Sequence, residues 1–423
     1  MLTIKLLRGN TELVINRLKI KNFDAEPVIK KVIQTDDLRK ETQNKLDNCL
    51  AESNSISKQI GMLFKEGKIG EANKAKEKTG SLKAESKELN EQLNSLEKEL
   101  NELIVQLPNI PHESVPAGKS EEDNVTIKEG GSFPELKANL PHWELAKKYD
   151  IIDFELGNKI TGAGFPVYKG KGAKLQRALI SFFLDKAIEN GFDEVIPPLL
   201  VNEDSGFGTG QLPDKEGQMY HATVDNFYLI PTAEVPVTNI FRDVILSADD
   251  FPVKKVAYTP CFRREAGSYG KDVRGLNRLH QFDKVEIVQI QHPDKSYQSL
   301  DEMVNYVESL VQSLNLPYRI LRLCGGDLSF TSALTFDFEV YSAAQEKWLE
   351  VSSISNFVDY QANRLKLRFK EKGEKKTKLA HTLNGSALAL PRIVAALLEN
   401  NQTKNGIKIP EALIPYTGFD MID

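Results

Sequence analysis

The sequence has little cysteine and no long hydrophobic run, and both absences limit what the protein can be. Its three cysteines, Cys49, Cys261 and Cys324, lie far apart and form no CxxC pair. A disulfide framework or a structural zinc site therefore does not fit, and a reducing compartment is expected. No apolar run approaches the roughly 20 residues that cross a bilayer, and the N-terminus shows no secretory leader. These absences predict a soluble, cytoplasmic protein with no membrane partner.

Two common nucleotide-binding motifs are also missing. The chain has neither a GxxxxGK[ST] phosphate loop nor a dinucleotide-binding glycine fingerprint, so any use of ATP must rely on another kind of site. The net charge of -5 argues against binding nucleic acid through overall charge, although it is compatible with a local basic patch. With 423 residues the chain is too long for one ordinary core, and two domains are expected.

The N-terminal part lacks proline, tryptophan and tyrosine between Pro27 and Pro108. Four glycines (Gly61, Gly67, Gly70 and Gly80) lie near its middle and weaken helix there. We expect two long helices that pack antiparallel as a coiled-coil hairpin, joined by a turn near residues 65–70. The apolar positions with coiled-coil spacing are Leu46, Cys49, Ile56, Ile60 and Leu63, interrupted by Ser53, then Leu82, Leu89, Leu96 and Leu103 with Leu93, Leu100 and Leu107.

The charges of this hairpin are unevenly placed. Residues 58–87 hold eight lysines and four glutamates, whereas acidic residues dominate from Glu88 to Glu102. A basic tip above an acidic base suits contact with phosphate groups. A dimerisation coiled coil and a solvated lysine-rich spacer remain open as alternatives.

Beyond the hairpin, strand and helix patterns alternate. Prolines at 108, 111 and 116 end the helical pattern, and the polar stretch 111–131 is interpreted as a linker. We therefore predict an α+β protein with domains at 1–110 and 132–423. The expected helices are 173–190, 296–314 and 388–399; the expected strands are 226–230, 255–262, 282–290, 335–340 and 347–352, with an edge strand at 194–201 that contains Pro197 and Pro198.

The most informative segment runs from Thr259 to Val288. An apolar strand ends at Phe262 and is followed by Arg263-Arg264-Glu265, a loop with Gly267, Gly270 and Gly275, and a second apolar run that contains Phe282 and Glu286. An arginine presents a planar fork of donors that suits phosphate oxygens. A nearby glutamate can accept a hydrogen bond from an amino group. The arrangement suits a nucleotide held by both its phosphates and its base.

The triplet Thr232-Ala233-Glu234 follows a short apolar run. In an extended segment the Thr232 and Glu234 side chains would point the same way and hold an ammonium beside a small polar group. Alternatively, Thr232 caps the start of a helix.

Two later segments carry further candidate side chains. Glu350 and Ser353 could supply oxygen ligands to Mg²⁺, although serines at a strand end commonly bond to nearby backbone. Arg392 is a single arginine in a short apolar helix, where burial would require an anionic partner such as a triphosphate. Arg392 could instead extend to the surface or pair with a carboxylate.

The Thr259–Val288 segment resembles motif 2 of the class II aminoacyl-tRNA synthetases, and its letters FRREAG and RGLNRLHQFDKVE are similar to the bacterial seryl-tRNA synthetases. The segment around Pro197-Pro198 resembles motif 1, the dimer interface of that family. Thr382 to Val394 resembles motif 3, although Ala387 and Pro391 stand where many relatives carry glycine. Because proline is tolerated in a first helical turn, the motif 3 helix is expected to start close to Pro391.

The resemblance implies a class II antiparallel β-sheet catalytic domain and an ATP-dependent serine–tRNA ligase activity of the translation machinery. It implies L-serine and tRNA(Ser) as partners, with the hairpin as the tRNA-binding arm, a homodimer, and ATP with Mg²⁺ but no zinc; tRNA(Sec) as a second acceptor stays open. The implied ATP-binding residues are Arg263, Arg264, Glu265, Phe282, Glu350, Val351, Ser352, Ser353 and Arg392, of which Arg263 and Arg392 are catalytic and Glu350 and Ser353 hold Mg²⁺. The implied serine-binding residues are Thr232, Ala233, Glu234, Glu286 and Ser386.

Two alternatives stay open, one a different enzyme on the same scaffold and one a protein without catalytic activity. The first is a ligase for another small amino acid, or one that loads serine onto a carrier protein; the hairpin argues against the carrier ligase, and a panel of amino acids would separate the ligases. The second is a non-catalytic coiled-coil interaction protein with a degenerate synthetase domain. Such a protein would have lost its nucleotide and serine positions, and saturable binding of ATP and serine would contradict it.

Overall fold

In the computed structural model, the described residues are 1–134, 140–214, 216–265 and 274–423. Within them the chain forms two compact units, one of residues 1–19 and 23–108 and one of residues 20–22 and 109–423. Gly267 and Gly270, two glycines of the loop predicted between Arg263 and Phe282, lie outside the described residues. Within the described ranges no helix is both long and apolar enough to cross a membrane.

The first unit is dominated by a helical hairpin. Its helices are α1 (Ile4–Gly9), α2 (Thr11–Leu18), α3 (Glu26–Lys65) and α4 (Ile69–Ile104). Helices α3 and α4 pack along their predicted seam, where the Cys49 thiol donates to the Leu82 carbonyl at 3.1 Å and Leu93 and Leu100 are buried. Of the four glycines, only Gly67 lies in the turn, where it adopts a positive φ of 74°; the others are accommodated within the helices.

The second unit is built on an eight-stranded sheet in the order β1-β11-β12-β13-β16-β10-β9-β4. Neighbouring strands are antiparallel except for β4, which runs parallel to β9. The strands are β1 (Val125–Gly130), β2 (Ile152–Asp153), β3 (Val167–Tyr168), β4 (Asp193–Glu194), β5 (Leu200–Val201), β6 (His221–Ala222), β7 (Phe227–Leu229), β8 (Ile245–Ser247), β9 (Val253–Phe262), β10 (Gln281–Gln291), β11 (Tyr318–Arg322), β12 (Leu334–Ser342), β13 (Lys347–Val358), β14 (Arg368–Lys370), β15 (Thr377–Leu379), β16 (His381–Ala389), β17 (Ile407–Lys408) and β18 (Met421–Ile422).

Helices cover one face of this sheet and enclose the main core, to which α7, α10 and α12 contribute most helical side chains. A smaller core on the opposite face joins Ala233, Val288 and Phe369. The two faces follow from the alternation of side chains along each strand: on β10, Val285 and Ile287 enter the main core, while Val288 enters the smaller one. The helices of this unit are α5 (His142–Lys148), α6 (Phe154–Ile160), α7 (Gly170–Glu189), α8 (Glu203–Thr209), α9 (Glu234–Asn239), α10 (Ser296–Ser313), α11 (Tyr360–Leu365), α12 (Leu390–Asn400) and α13 (Ile414–Thr417).

Two expectations about the chain before β9 were wrong. Residues 194–201 do not form one strand, because Pro197 and Pro198 cannot donate ladder hydrogen bonds; β4 ends before them and β5 begins after them in a separate three-stranded sheet. The stretch 111–131 is not all loop, since β1 pairs with β11 at the edge of the large sheet.

The three residues 20–22 belong to the second unit although the chain on both sides of them belongs to the first. The Lys21 ammonium donates to the backbone carbonyls of Ser329, Phe330 and Ser332 at 2.7, 3.3 and 2.8 Å. Burial lowers the pKa of Lys21 to about 7. This lysine therefore fixes a short N-terminal segment in the second unit through backbone acceptors alone.

Candidate active site

Arg263 lies where β9 ends, beside the first residues of β10. Phe282 on β10 pairs in register with Cys261 on β9, and the Arg263 guanidinium stacks over the Phe282 ring at 5.3 Å. The Arg263 Nε also donates to the Pro231 carbonyl at 3.3 Å. The ring and the carbonyl hold one arginine in a defined orientation, while its remaining N–H groups can reach an anion.

The two residues after Arg263 differ in their surroundings. Arg264 is exposed, and its backbone N–H donates to the Gln218 carbonyl at 2.8 Å. Glu265 is half-buried, adopts a positive φ of 47°, and pairs with Arg278 at 2.9 Å. Glu265 is thus held by an arginine, and its contact with an adenine amino group stays a prediction.

Arg392 lies in the first turn of α12, which begins at Leu390 as the proline at 391 predicted. Its Nε donates to the Asn277 carbonyl at 3.0 Å and its Nη1 to the Glu350 carbonyl at 2.8 Å. The Glu350 carboxylate is 3.7 Å from the same nitrogen. Arg392 is half-buried, and two backbone carbonyls and the Glu350 carboxylate hold it. The alternative that Arg392 pairs with a carboxylate is therefore confirmed in part, and its contact with a triphosphate stays a prediction.

The structure brings the two arginine-bearing segments to one end of the sheet. β10 pairs with β9, which leads into Arg263, and with β16, which leads into α12 and Arg392. The consecutive residues Asn277 and Arg278 also contact both sides, since the first accepts from Arg392 and the second pairs with Glu265.

A buried polar cluster lies further along the same face of β10. The Lys284 ammonium is 2.5 Å from the Glu286 carboxylate and 3.1 Å from the Thr232 hydroxyl. That hydroxyl donates to Glu286 at 3.2 Å and accepts from the Glu234 N–H at 3.2 Å. Both interpretations of Thr232 need correction: the triplet is not extended, and the N-cap of α9 is Ala233, which makes no side-chain cap hydrogen bond. The Thr232 hydroxyl instead accepts from the first residue of the helix and joins the cluster. Ser386 on β16 lies opposite Glu286 and is buried.

The buried cluster contains a second carboxylate, Glu234. Among the described residues, no cationic side chain lies within hydrogen-bonding distance of it. The Gln361 amide donates to it at 2.6 Å, and Asn384 supplies a further hydrogen bond. Burial, followed by the negative charge of Glu286, raises the pKa of Glu234 to about 7. A ligand with an ammonium group would therefore stabilise the ionised form of Glu234.

Sequence reasoning missed Lys284, Gln361, Thr382 and Asn384. Lys284 could have been found, because it is two residues from Glu286 and must share its face of the strand. Gln361 reaches the site from α11 and is held by Thr382, whose hydroxyl donates to it at 2.7 Å; nothing in the local sequence marks that contact.

The four residues of the segment 350–353 differ in whether their side chains are free to contact a ligand. Val351 packs in the main core, and the Ser352 hydroxyl donates to the Ser386 carbonyl at 2.5 Å. Their side chains are therefore used within the protein, as is that of Ala233, which packs in the smaller core. Any contact of these three residues with a ligand would have to come from the backbone.

Glu350 and Ser353 stay predicted ligands of a magnesium ion bound with a nucleotide. Ser353 pairs in register with Asp337, whose Oδ1 is buried without a hydrogen-bond partner in the described part of the chain. Burial, and then the charge of Glu350, raises the pKa of Asp337 well above its usual range. A bound Mg²⁺ would favour the ionised form of this carboxyl group, and hard oxygen donors are the ligands that Mg²⁺ takes. No group of three His, Cys, Asp or Glu side chains suited to a metal occurs among the described residues.

Comparison with known proteins gives consistent matches along the chain. Residues 1–111 match the model of the seryl-tRNA synthetase N-terminal domain, and residues 219–401 match the class II tRNA synthetase core domain of the G, H, P, S and T enzymes. A serine–tRNA ligase of Salinibacter ruber is 51% identical over 100% of this chain and 99% of its own. The crystal structure of seryl-tRNA synthetase from Pyrococcus horikoshii complexed with ATP is 34% identical, with a TM-score of 0.92 over 100% of this chain and 99% of that one. A cytoplasmic serine–tRNA ligase of Naegleria fowleri in complex with AMP is 26% identical, with a TM-score of 0.88 over the same shares.

Proposed function

The chain belongs to the serine–tRNA ligase family, and from this premise we propose that it activates L-serine with ATP and transfers the seryl group to tRNA(Ser). The observation that carries the proposal is the arrangement along β10, where Phe282, Lys284 and Glu286 alternate onto one face. Phe282 lies beside Arg263, and Glu286 lies in the buried polar cluster. The four-residue separation spans about 13 Å, which suits an amino acid joined to a nucleotide.

In the first step the serine carboxylate attacks the α-phosphorus of ATP, and pyrophosphate leaves. Arg263 would hold the α-phosphate and Arg392 the γ-phosphate, while Phe282 stacks on the adenine and Glu265 meets its amino group. These residues align the reactants and stabilise charge on the phosphate oxygens. Glu350 and Ser353 would hold the Mg²⁺ that accompanies ATP, and that ion would neutralise phosphate charge when bound. In the second step the terminal ribose hydroxyl of the tRNA attacks the seryl carbonyl, and AMP leaves.

The charges of the buried cluster indicate which residues would bind the ammonium group and which the hydroxyl group of serine. Lys284 already neutralises Glu286, so the serine ammonium would go to Glu234. The serine hydroxyl would then meet Glu286 and Ser386. Alanine would lack the hydroxyl that makes these contacts, and sites that read a hydroxyl reject the analogue without it by roughly 10⁴–10⁵-fold. The absence of zinc from this recognition stays a prediction, as does a cytoplasmic location, and tRNA(Sec) as a second acceptor stays open.

Amino-acid-dependent ATP–pyrophosphate exchange tests this function directly. Among the twenty amino acids, we expect serine alone to support exchange at its full rate. Comparable exchange with alanine, glycine or threonine would assign the protein to a different ligase, and exchange with none of them would favour the non-catalytic alternative.

The same assay should show a pH dependence that arises from Glu234. Because its pKa is about 7, the carboxyl is mostly protonated at pH 6, and the serine ammonium must displace that proton. The KM for serine is expected to be about tenfold higher at pH 6 than at pH 8, since each pH unit below the pKa lowers the ionised fraction about tenfold. Glu234→Gln should raise the KM and remove this dependence. A wild-type KM that stays constant from pH 6 to 8 would contradict the assignment of the ammonium to Glu234.

We propose that the sheet β5-β7-β6 and the segment before it form the interface of a homodimer. Ile196 and Val224 are 90% and 94% exposed, and Leu199, Leu200 and Phe227 are also exposed apolar residues of this region. Such clustering is typical of a protein interface.

The variant Ile196→Asp/Leu200→Asp should have the mass of one 47.5 kDa chain in light scattering, whereas the wild type should have twice that mass. The control Ile69→Asp changes an exposed residue of the hairpin tip and should stay dimeric. A monomeric wild type would overturn the proposal.

A further inference from the structure

A histidine outside the predicted site is fully buried beside Leu276, in the loop of the motif 2 segment. His142 is the first residue of α5, and its Nδ1 lies 2.7 Å from the carboxylate of Glu399, which is also fully buried. Its backbone N–H donates to the same carboxylate at 2.9 Å. Its Nε2 accepts from the Leu276 N–H at 2.8 Å. Because Nε2 is an acceptor, the ring proton is on Nδ1 and points at Glu399.

The residue after Leu276 connects this histidine to Arg392. The Asn277 carbonyl is one of the two backbone acceptors that hold the Arg392 guanidinium. The Asn277 side-chain amide donates to Gln345 at 2.8 Å, and Gln345 donates to Glu399 at 3.0 Å. Arg392 and Glu399 are seven residues apart on α12, so two helical turns place them on the same side. One side of α12 thus holds the segment 276–277 at two points.

The fit around the imidazole is tight. Gly275 adopts a positive φ of 69°, and a Cβ at this position would lie 2.1 Å from the His142 Nε2. Only glycine meets both the backbone and the space requirement. The Glu399 carboxylate also accepts from the Ser342 hydroxyl. The imidazole is therefore fixed on both sides, and it fixes the backbone of Leu276 in turn.

We propose that His142 is a positioning residue for the nucleotide site. By accepting from Leu276, it sets the Asn277 carbonyl that orients Arg392 toward the triphosphate. His142 touches neither substrate, so its effect must pass through Arg392. The inference rests on the proposed role of Arg392 in binding ATP.

Two amide substitutions separate the two contacts of the ring. In His142→Asn the amide nitrogen takes the place of Nδ1, so the contact with Glu399 is kept and the Leu276 contact is lost. In His142→Gln the amide oxygen reaches the place of Nε2 and keeps the Leu276 contact. For the full-length protein, calorimetric titration should show an ATP dissociation constant raised about tenfold in His142→Asn and within about threefold of wild type in His142→Gln. Serine affinity should stay unchanged in both variants.

Equal effects of the two substitutions, or no effect on ATP binding in either, would overturn the proposal. Should both variants fail to fold, Gln345→Ala decides, because Gln345 is only half-buried and its loss removes the side-chain tie to Asn277; an unchanged ATP affinity would then overturn it. Arg392→Ala distinguishes the assigned role of Arg392 in ATP binding from the positioning role of His142. If Arg392→Ala binds ATP normally, the assigned role of Arg392 is wrong; if it binds poorly while His142→Asn binds normally, only the positioning inference fails.

Discussion

Replacement of Arg263 with alanine is expected to lower kcat/KM for ATP in serine-dependent pyrophosphate exchange by about 10²–10³-fold. The guanidinium is held over Phe282 and by the Pro231 carbonyl, so its donors are in place before the reaction begins. Such fixed donors stabilise charge that develops in the transition state without a cost of reorganisation. The measurement is exchange at varied ATP, with the melting temperature of each variant recorded alongside.

The matched control for this prediction is Arg368→Ala. Arg368 lies on β14 in a separate small sheet, and its Nε donates to the Lys366 carbonyl. Its replacement should leave exchange unchanged. Near-normal exchange by a folded Arg263→Ala variant would remove Arg263 from the site, whatever the sequence similarity of the segment.

Shortening the hairpin should separate the two steps of the reaction. Cys49 and Leu82 contact each other across α3 and α4, so residues 50–81 can be replaced by a short turn above that level. The shortened protein should form seryl-adenylate within about twofold of wild type, whereas kcat/KM for tRNA(Ser) should fall by about 10²-fold or more, because the exposed lysines of the tip are lost. Exchange and aminoacylation assays of the same preparation give both values.

The control for the hairpin changes the charge at its base. Glu88→Ala/Glu91→Ala removes two exposed glutamates of the acidic part and should leave aminoacylation nearly unchanged. The wild-type KM for tRNA should also rise with salt, and this dependence should be weaker in the shortened protein. Equal charging of tRNA by the shortened and intact proteins would show that the hairpin is a spacer.

Periodic patterns predicted most of the regular elements. The heptad spacing predicted α3 and α4, and the apolar runs predicted β9, β10 and β12 within two residues at each end. The strand β13 runs six residues beyond its predicted end at 352. These elements bury one continuous face, so their spacing is visible in the sequence. The strand at β1 was missed because five of its six residues are exposed at the sheet edge, and an exposed strand has no apolar face to reveal it.

The sequence motifs located the segments that the structure brings together around the candidate site. Arg263, Phe282, Glu286 and Arg392 came from contiguous segments, and the structure brings their strands together. Gln361 and His142 act across long sequence separations, with 127 residues between Gln361 and its partner Glu234 and 257 between His142 and Glu399. Such contacts are products of tertiary packing, and no local pattern specifies them.

The attachment of Lys21 to the carbonyls of Ser329, Phe330 and Ser332 has a practical consequence for truncation. The polypeptide passes between its two units three times, near residues 19, 22 and 108. The N-terminal unit is therefore joined to the second unit by more than one connection. A fragment that starts at residue 109 would lack the lysine that occupies these three acceptors. A truncated protein designed to keep the second unit intact should therefore retain the first 22 residues, joined to residue 109 through a shortened hairpin.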